Sequence, residues 1–181
     1  QHIVLQKILP AIQKRIFKPF LLHGITGCGK TEVYLQAAEQ TLTEGRDVLI
    51  LVPEIALATQ LEAHLISRFG DRVVLLHSGL SGRERFDQFS LALAGKATVV
   101  IGARSAIFAP LKDPGLLVVD EEHDGSYKQD DSFRYHARDL AVLRARHHGS
   151  VVILGSATPS ITSYSHALSG KYELLAMSER V

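Results

Sequence analysis

The segment GITGCGKT, residues 24–31, fits the spacing G-x-x-x-x-G-K-[ST]. The spacing has a mechanical reason. Glycines let the backbone wrap a phosphate with its N–H groups pointing inward, and a following helix adds its own N-terminal N–H groups and the positive end of its dipole. Gly24, Ile25, Thr26, Gly27, Cys28, Gly29, Lys30 and Thr31 are therefore all expected at the phosphates of a nucleotide. Lys30 suits the β- and γ-phosphates, and the Thr31 hydroxyl suits Mg²⁺. Cys28 reads as a small loop residue, because nothing nearby in the sequence is a base that would activate it.

Such a loop needs a carboxylate partner at the end of another strand, and LLVVDEEH, residues 116–123, supplies one. Four apolar residues carry a strand through the core and deliver Asp120 at its C-terminal end, where α/β proteins bind ligands. Asp120 is expected to hold Mg²⁺ through water. Glu121 is the candidate base that orients and activates an attacking water. Glu122 reads as the more exposed acid with no assigned role, and His123 as a coupling residue. A third block, GSATPS at 155–160, follows the apolar run VVIL. Its Ser156 and Thr158 can hydrogen-bond residues 120–123 or a neighbouring lobe. The plainer alternative is a strand-to-helix turn with Ser160 as the cap.

These sites need elements to hold them. Apolar strands are expected at 20–23, 48–52, 73–76, 98–101, 116–119 and 151–154, with an edge strand at 172–176. Helices are expected at 1–18, with Pro10 disturbing the middle, and at 31–43, 56–69, 81–93, 136–147 and 160–168. Ser81 and Glu84 have capping-box spacing. Strands apolar on both faces and joined by helices predict an α/β fold, a mainly parallel sheet covered by helices on both sides.

Composition narrows the classes. The chain has 181 residues, 46% of them hydrophobic, with a formal net charge of +1, so charge alone names no partner. One cysteine excludes an internal disulfide and any multi-cysteine zinc site, and a reducing, cytoplasmic setting is expected. No apolar run approaches the roughly 20 residues of a membrane span, and no membrane partner is expected. No secretory leader is read before the first strand. The start at Gln1 and the lone Met177 read as those of a piece of a longer protein. A GTPase would carry N-K-x-D after a later strand, and none is present. An ABC-type ATPase would carry L-S-G-G-Q just before the acidic strand; LSGRE at 80–84 lies too far away and lacks the glutamine. A small-molecule kinase has no need of GSATPS and lacks a clear acceptor site here.

GITGCGKT, DEEH and GSAT, in that order, resemble motifs I, II and III of the superfamily 2 helicases. The longer blocks HGITGCGKTEVYL, LVPEIAL, LHSGLS, GARSAIFAPL, DEEHDGSYKQ and RYHARDLAVLRA resemble more closely the primosomal replication-restart helicases. This resemblance implies that residues 1–181 form a single P-loop NTPase lobe, the first of two RecA-like lobes with ATP in the cleft between them. It implies a 3′-to-5′ DNA helicase acting in replication restart at stalled forks, on single-stranded or forked DNA, with primosome and single-strand-binding proteins as partners. Pro53–Glu54, His77 to Gly79 and Gly102 to Ser105 would be strand-binding loops, with Arg104 and Ser105 at the phosphates. Each such block follows a strand and offers groups suited to contacts that do not read sequence. The stretch GSYKQDDSFRYHARD resembles an aromatic-rich loop that couples DNA binding to hydrolysis, so Tyr127, Lys128, Phe133, Arg134 and Tyr135 are candidate DNA contacts, with Arg138 close behind. Aromatic faces stack bases while cations hold phosphates. Gln1 lies near the right distance before Gly24 to read adenine, with Gln6 the weaker choice. The family's zinc-binding insertion, its amino-terminal DNA-binding part and its second lobe, with the arginine that completes the ATP site, are not in these residues. Weak ATP hydrolysis and no unwinding are then expected of this stretch alone. The rival reading is an ATP-gated DNA- or protein-binding assembly module without translocation.

Overall fold

The computed structural model describes residues 1–53, 60–131 and 133–178. Glu54 and the expected helix start at Ala56 and Leu57 lie outside the described residues. In chain order the elements are α1 (His2–Gln13), β1 (Lys18–Gly24), α2 (Lys30–Thr43), β2 (Asp47–Leu51), α3 (Gln60–Phe69), β3 (Val73–Leu76) and α4 (Gly82–Leu93). There follow β4 (Val99–Gly102), β5 (Pro114–Val119), β6 (Lys128–Gln129), β7 (Tyr135–His136), α5 (Ala137–His148), β8 (Val151–Ser156), α6 (Ile161–Leu168) and β9 (Glu173–Met177).

Seven strands form one sheet in the order β3-β4-β2-β5-β8-β1-β9. Every pairing in it is parallel, and β9 lies at the edge as expected. The alternation of side chains across a strand divides the core in two. Phe20, Leu22, Val48, Ile50, Leu116, Val118, Val151 and Ile153 face a layer built by α1, α2 and α3. Leu21, Leu49, Leu51, Leu117, Val119, Val152 and Leu154 face a layer that includes the alanines Ala137, Ala141 and Ala145 of α5. Small residues on that helix let its axis lie close to the sheet. Buried Arg46 ties the N-terminal edge together by donating to Asp113 Oδ1 (2.8 Å), Pro114 O (2.9 Å) and His148 O (2.8 Å).

Local signals behave as their chemistry requires. Ser81 Oγ accepts from the Glu84 N–H (3.3 Å) and the Glu84 carboxylate accepts from the Ser81 N–H (2.8 Å), which starts α4. Ser160 Oγ accepts from the Ser163 N–H (3.2 Å) and starts α6. Pro10 does not interrupt α1: it sits on the exposed side, so the carbonyl of Gln6 that loses a partner meets water. The short antiparallel ribbon β6–β7 was not expected from the sequence. Among the described residues no helix is long and apolar enough to cross a membrane.

Candidate functional site

β5, β8 and β1 are neighbours in the sheet, so the loops leaving their C-terminal ends meet. These are 120–124, 155–160 and 24–31. Within 24–31, Gly27 (φ +79°) and Gly29 (φ +89°) hold left-handed conformations that a Cβ disfavours. Gly24 is required for a different reason: a Cβ there would stand 2.6 Å from Cys28 Sγ and 3.0 Å from Met177 Cβ. Cys28 is thus buried packing beneath the loop, while Ile25, Thr26 and Gly27 are exposed along its rim. Lys30 and Thr31 open α2. The buried Lys30 Nζ donates to Gly24 O (2.8 Å) and lies 3.9 Å from Glu121 Oε1.

Gln1 is exposed, immediately before α1. Arg15 donates to Glu44 O (2.7 Å), so α1 and α2, which pack together, end at the same edge of the sheet. Gln1 accordingly lies toward the edge where the glycine loop emerges.

Asp120 emerges from β5 with its Oδ1 accepting from the Tyr34 hydroxyl (2.9 Å). Burial pushes its carboxyl above the usual range, and the Tyr34 hydrogen bond opposes that shift. Burial also raises the Tyr34 phenol well above its ordinary value, so it stays a donor. Glu121 has φ +44°, the left-handed region, which is unusual for a residue with a side chain. Its carboxylate lies between Lys30 and His123 Nδ1, which is 3.7 Å away. His123 Nδ1 shares a hydrogen bond with Ser156 Oγ (2.8 Å), and Nε2 pairs with Thr158 Oγ1 (3.3 Å). The two hydroxyls therefore reach the 120–123 block through His123.

Two expectations are corrected here, those for Glu122 and Tyr127. Glu122 is not the exposed acid but the buried one, and its carboxylate accepts from Arg138 Nη1 (3.2 Å), Ser160 N (2.7 Å), Ser160 Oγ (3.0 Å) and Ser163 Oγ (2.7 Å). Tyr127 does not offer its face to a base: it is fully buried, and its hydroxyl donates to Asp120 O (2.6 Å). Arg104 is turned onto its own protein, with Nη1 donating to Ser126 O (3.2 Å) and Lys128 O (2.6 Å). It still lines a cleft of about 190 Å³ with exposed Ser78, Arg85 and Ser105 and half-buried Tyr135.

The other loop candidates face outward. Phe133 is 70% exposed, and its ring centre lies 5.9 Å from that of half-buried Tyr135, which meets Phe108 edge-on. Exposed Lys128 pairs with Asp130 (3.0 Å), and Arg134 Nε donates to Asp130 O (3.1 Å). The sequence reading missed Tyr34, Arg85, Ser163 and the inward turn of Arg138. Of these only Tyr34 left a signal, a tyrosine on the apolar face of α2 whose hydroxyl needs a buried partner.

Replacing Tyr127 by phenylalanine leaves the Asp120 carbonyl without its donor. The expected cost is about 1–3 kcal/mol of unfolding free energy, read by urea titration, with affinity for single-stranded DNA unchanged. A variant that loses DNA affinity at full stability would return Tyr127 to the binding surface.

The same fold recurs in solved structures. The chain superimposes on the helicase domain of Pyrococcus furiosus Hef with a TM-score of 0.67 at 21% identity, covering 100% of this chain and 38% of that one. It superimposes on RecG bound to a three-way DNA junction with a TM-score of 0.64 at 24% identity, covering 91% of this chain and 21% of that one. At these identities the likeness speaks for a RecA-like fold alone. Sequence similarity goes further. The chain is 46% identical to the replication restart protein PriA of Bacillus subtilis, covering 100% of this chain and 22% of that protein. It is also 46% identical to PriA of Chlamydia pneumoniae, covering 99% of this chain and 24% of that one. The chain thus spans about a quarter of the length of these relatives, where it corresponds to their first helicase lobe. The family model described as DEAD/DEAH box helicase matches residues 2–166, nearly everything from α1 through α6, and the chain belongs to that family.

Proposed function

We propose that this chain is the first motor lobe of a longer polypeptide, an ATP-dependent DNA helicase of 3′-to-5′ polarity that acts in replication restart on single-stranded or forked DNA. The observation that carries the reading is the convergence of Lys30, Asp120 and Glu121, with His123 bonded across to Ser156 and Thr158. ATP is the substrate. Backbone N–H groups of the glycine loop and Lys30 hold its β- and γ-phosphates, Lys30 exchanging the Gly24 carbonyl for phosphate oxygen. The left-handed glycines and the close approach at Gly24 suit a backbone cradle. Mg²⁺, when bound, would supply charge neutralisation, with the Thr31 hydroxyl and, through water, Asp120 to hold it. Glu121 takes a proton from the water that attacks the γ-phosphorus in line, as the bond from that phosphorus to the ADP oxygen breaks. His123 relays the change to the 155–160 turn. Gln1, just before α1, reads the adenine. Single-stranded DNA lies along the cleft of Ser78, Arg85, Arg104 and Ser105, with Phe133 and Tyr135 for stacking and Lys128 and Arg134 for charge.

The second lobe supplies an arginine at the γ-phosphate, a contribution of about 10³–10⁵ in rate. Residues 1–181 alone are therefore slow and do not unwind. The test is ATP hydrolysis by the full polypeptide and by residues 1–181, each with and without single-stranded DNA, alongside unwinding of 3′-tailed and 5′-tailed duplexes. DNA-stimulated turnover and unwinding of the 3′-tailed substrate are expected of the full polypeptide only. ATP-dependent DNA binding without stimulated turnover would replace the motor by an ATP-gated assembly module.

A further inference from the structure

Glu122 takes no part in the hydrolysis just outlined, yet its fully buried carboxylate accepts four hydrogen bonds. Those bonds join three separate segments. Arg138 is the second residue of α5 and stands directly behind the β6–β7 ribbon. Ser160 and Ser163 belong to the start of α6, just after the turn that holds Ser156 and Thr158. Glu122 itself adjoins Glu121.

The backbone around Glu121 is held from both directions. On one side the Asp120 N–H donates to Leu51 O (2.9 Å) and the Asp120 carbonyl accepts from Tyr127. On the other the Glu122 N–H donates to Gly155 O (2.9 Å), and the Asp124 N–H closes the turn onto Glu121 O (2.8 Å). A left-handed residue with a side chain persists only where its surroundings over-determine it. At Glu121 the conformation sends consecutive carboxylates in opposite directions, Glu121 toward Lys30 and Glu122 into the core.

A buried ion pair seldom adds stability over an apolar replacement, because desolvation of both charges offsets their attraction. Four directed, charge-assisted bonds do fix geometry. Arg138 is itself held by Asp139 Oδ1 (2.9 Å from Nε), so the pair is braced from the α5 side as well.

We infer that Glu122 is a positioning residue for Glu121. Its bonds to Arg138, Ser160 and Ser163 form a strut that keeps the Asp120–Glu121 backbone in the conformation aiming Glu121 at the nucleotide. This rests on the reading of Glu121 as the base that activates water. The strut also links the base to the two segments that must register its state, the ribbon before α5 and the turn before α6.

The test compares Glu122→Gln and Ser163→Ala with wild type in the full polypeptide, by steady-state ATP hydrolysis with saturating single-stranded DNA and by thermal melts. Glutamine keeps the size and loses the ion pair, and a misplacement of the base of about 1 Å is expected to lower kcat about 100-fold. Ser163→Ala removes one bond to the strut and is expected to lower kcat about tenfold, as loss of an outer-shell partner does. In both, KM for ATP stays close to wild type, the pattern of an interaction expressed in the transition state. Ser163→Ala keeps the idea testable if Glu122→Gln fails to fold. A lower melting temperature with kcat unchanged in the folded variants would overturn the strut. Lys30→Ala, run in parallel, separates the layers. Full turnover in Lys30→Ala removes the hydrolase reading and the strut together. Lost turnover there, with unchanged kcat in the Glu122 and Ser163 variants, removes the strut alone.

Discussion

Lys30→Ala is expected to lower ATP turnover in the full polypeptide by at least about 10²–10³-fold, the scale set by removing one preorganised donor from developing charge. The ammonium is buried, donates to Gly24 O at 2.8 Å and stands 3.9 Å from Glu121, so it already lies within the loop that would hold the phosphates. No other lysine or arginine lies in residues 24–31 to replace it. Alanine suits the helix start, so α2 should form as before. The loss should therefore fall on nucleotide affinity and rate together, measured by titration with a fluorescent nucleotide and by phosphate release. Wild-type turnover in this variant would mean that hydrolysis does not occur in the loop at 24–31.

The second large effect is expected at Glu121. Glu121→Gln keeps the side-chain shape and its reach toward Lys30 and His123 but cannot take a proton. General base catalysis contributes about 10²–10⁴-fold, and kcat should fall by that much. Nucleotide affinity should hold near wild type, because Lys30, Thr31 and the loop N–H groups are untouched. That split, with binding kept and turnover lost, distinguishes a base from a phosphate ligand. If Glu121→Gln turns over normally, the water is activated by another group, and Glu121 serves chiefly as the partner of Lys30.

How far the sequence reveals this site depends on what each residue's neighbours are. The glycine loop is legible because its parts are covalent neighbours, so spacing alone places Lys30 and Thr31 at the head of α2. The pairing of His123 with Ser156 and Thr158 is legible because both blocks end apolar strands, and strand ends in a parallel sheet share an edge. The strand order itself is hidden, since it depends on which strands pair across the sheet. Glu121 and Glu122 look equivalent in DEEH. They differ because φ at Glu121 is positive, a local turn that no composition or period signals. Tyr127 differs for another reason. It reads as an outward contact, but its hydroxyl turns back to the Asp120 carbonyl seven residues earlier, at the end of β5, while Arg104 lines its cleft with one nitrogen donating to Ser126 O and Lys128 O.

The strand order also governs when the site comes into being. β1 carries the glycine loop, yet its partners are β8 and β9, which begin at Val151 and Glu173. During synthesis at about 5–20 residues per second, β1 waits on the order of ten seconds for its first neighbour. Until then it is an apolar strand with two open edges, the kind of segment that chaperones cover. Pairing over so long a stretch of chain also slows folding, because the loop must close before the contacts reward it. The glycine loop is thus made well before the strands that β1 needs as neighbours. On the proposed reading, nucleotide binding reports that β1, β8 and β5 have come together.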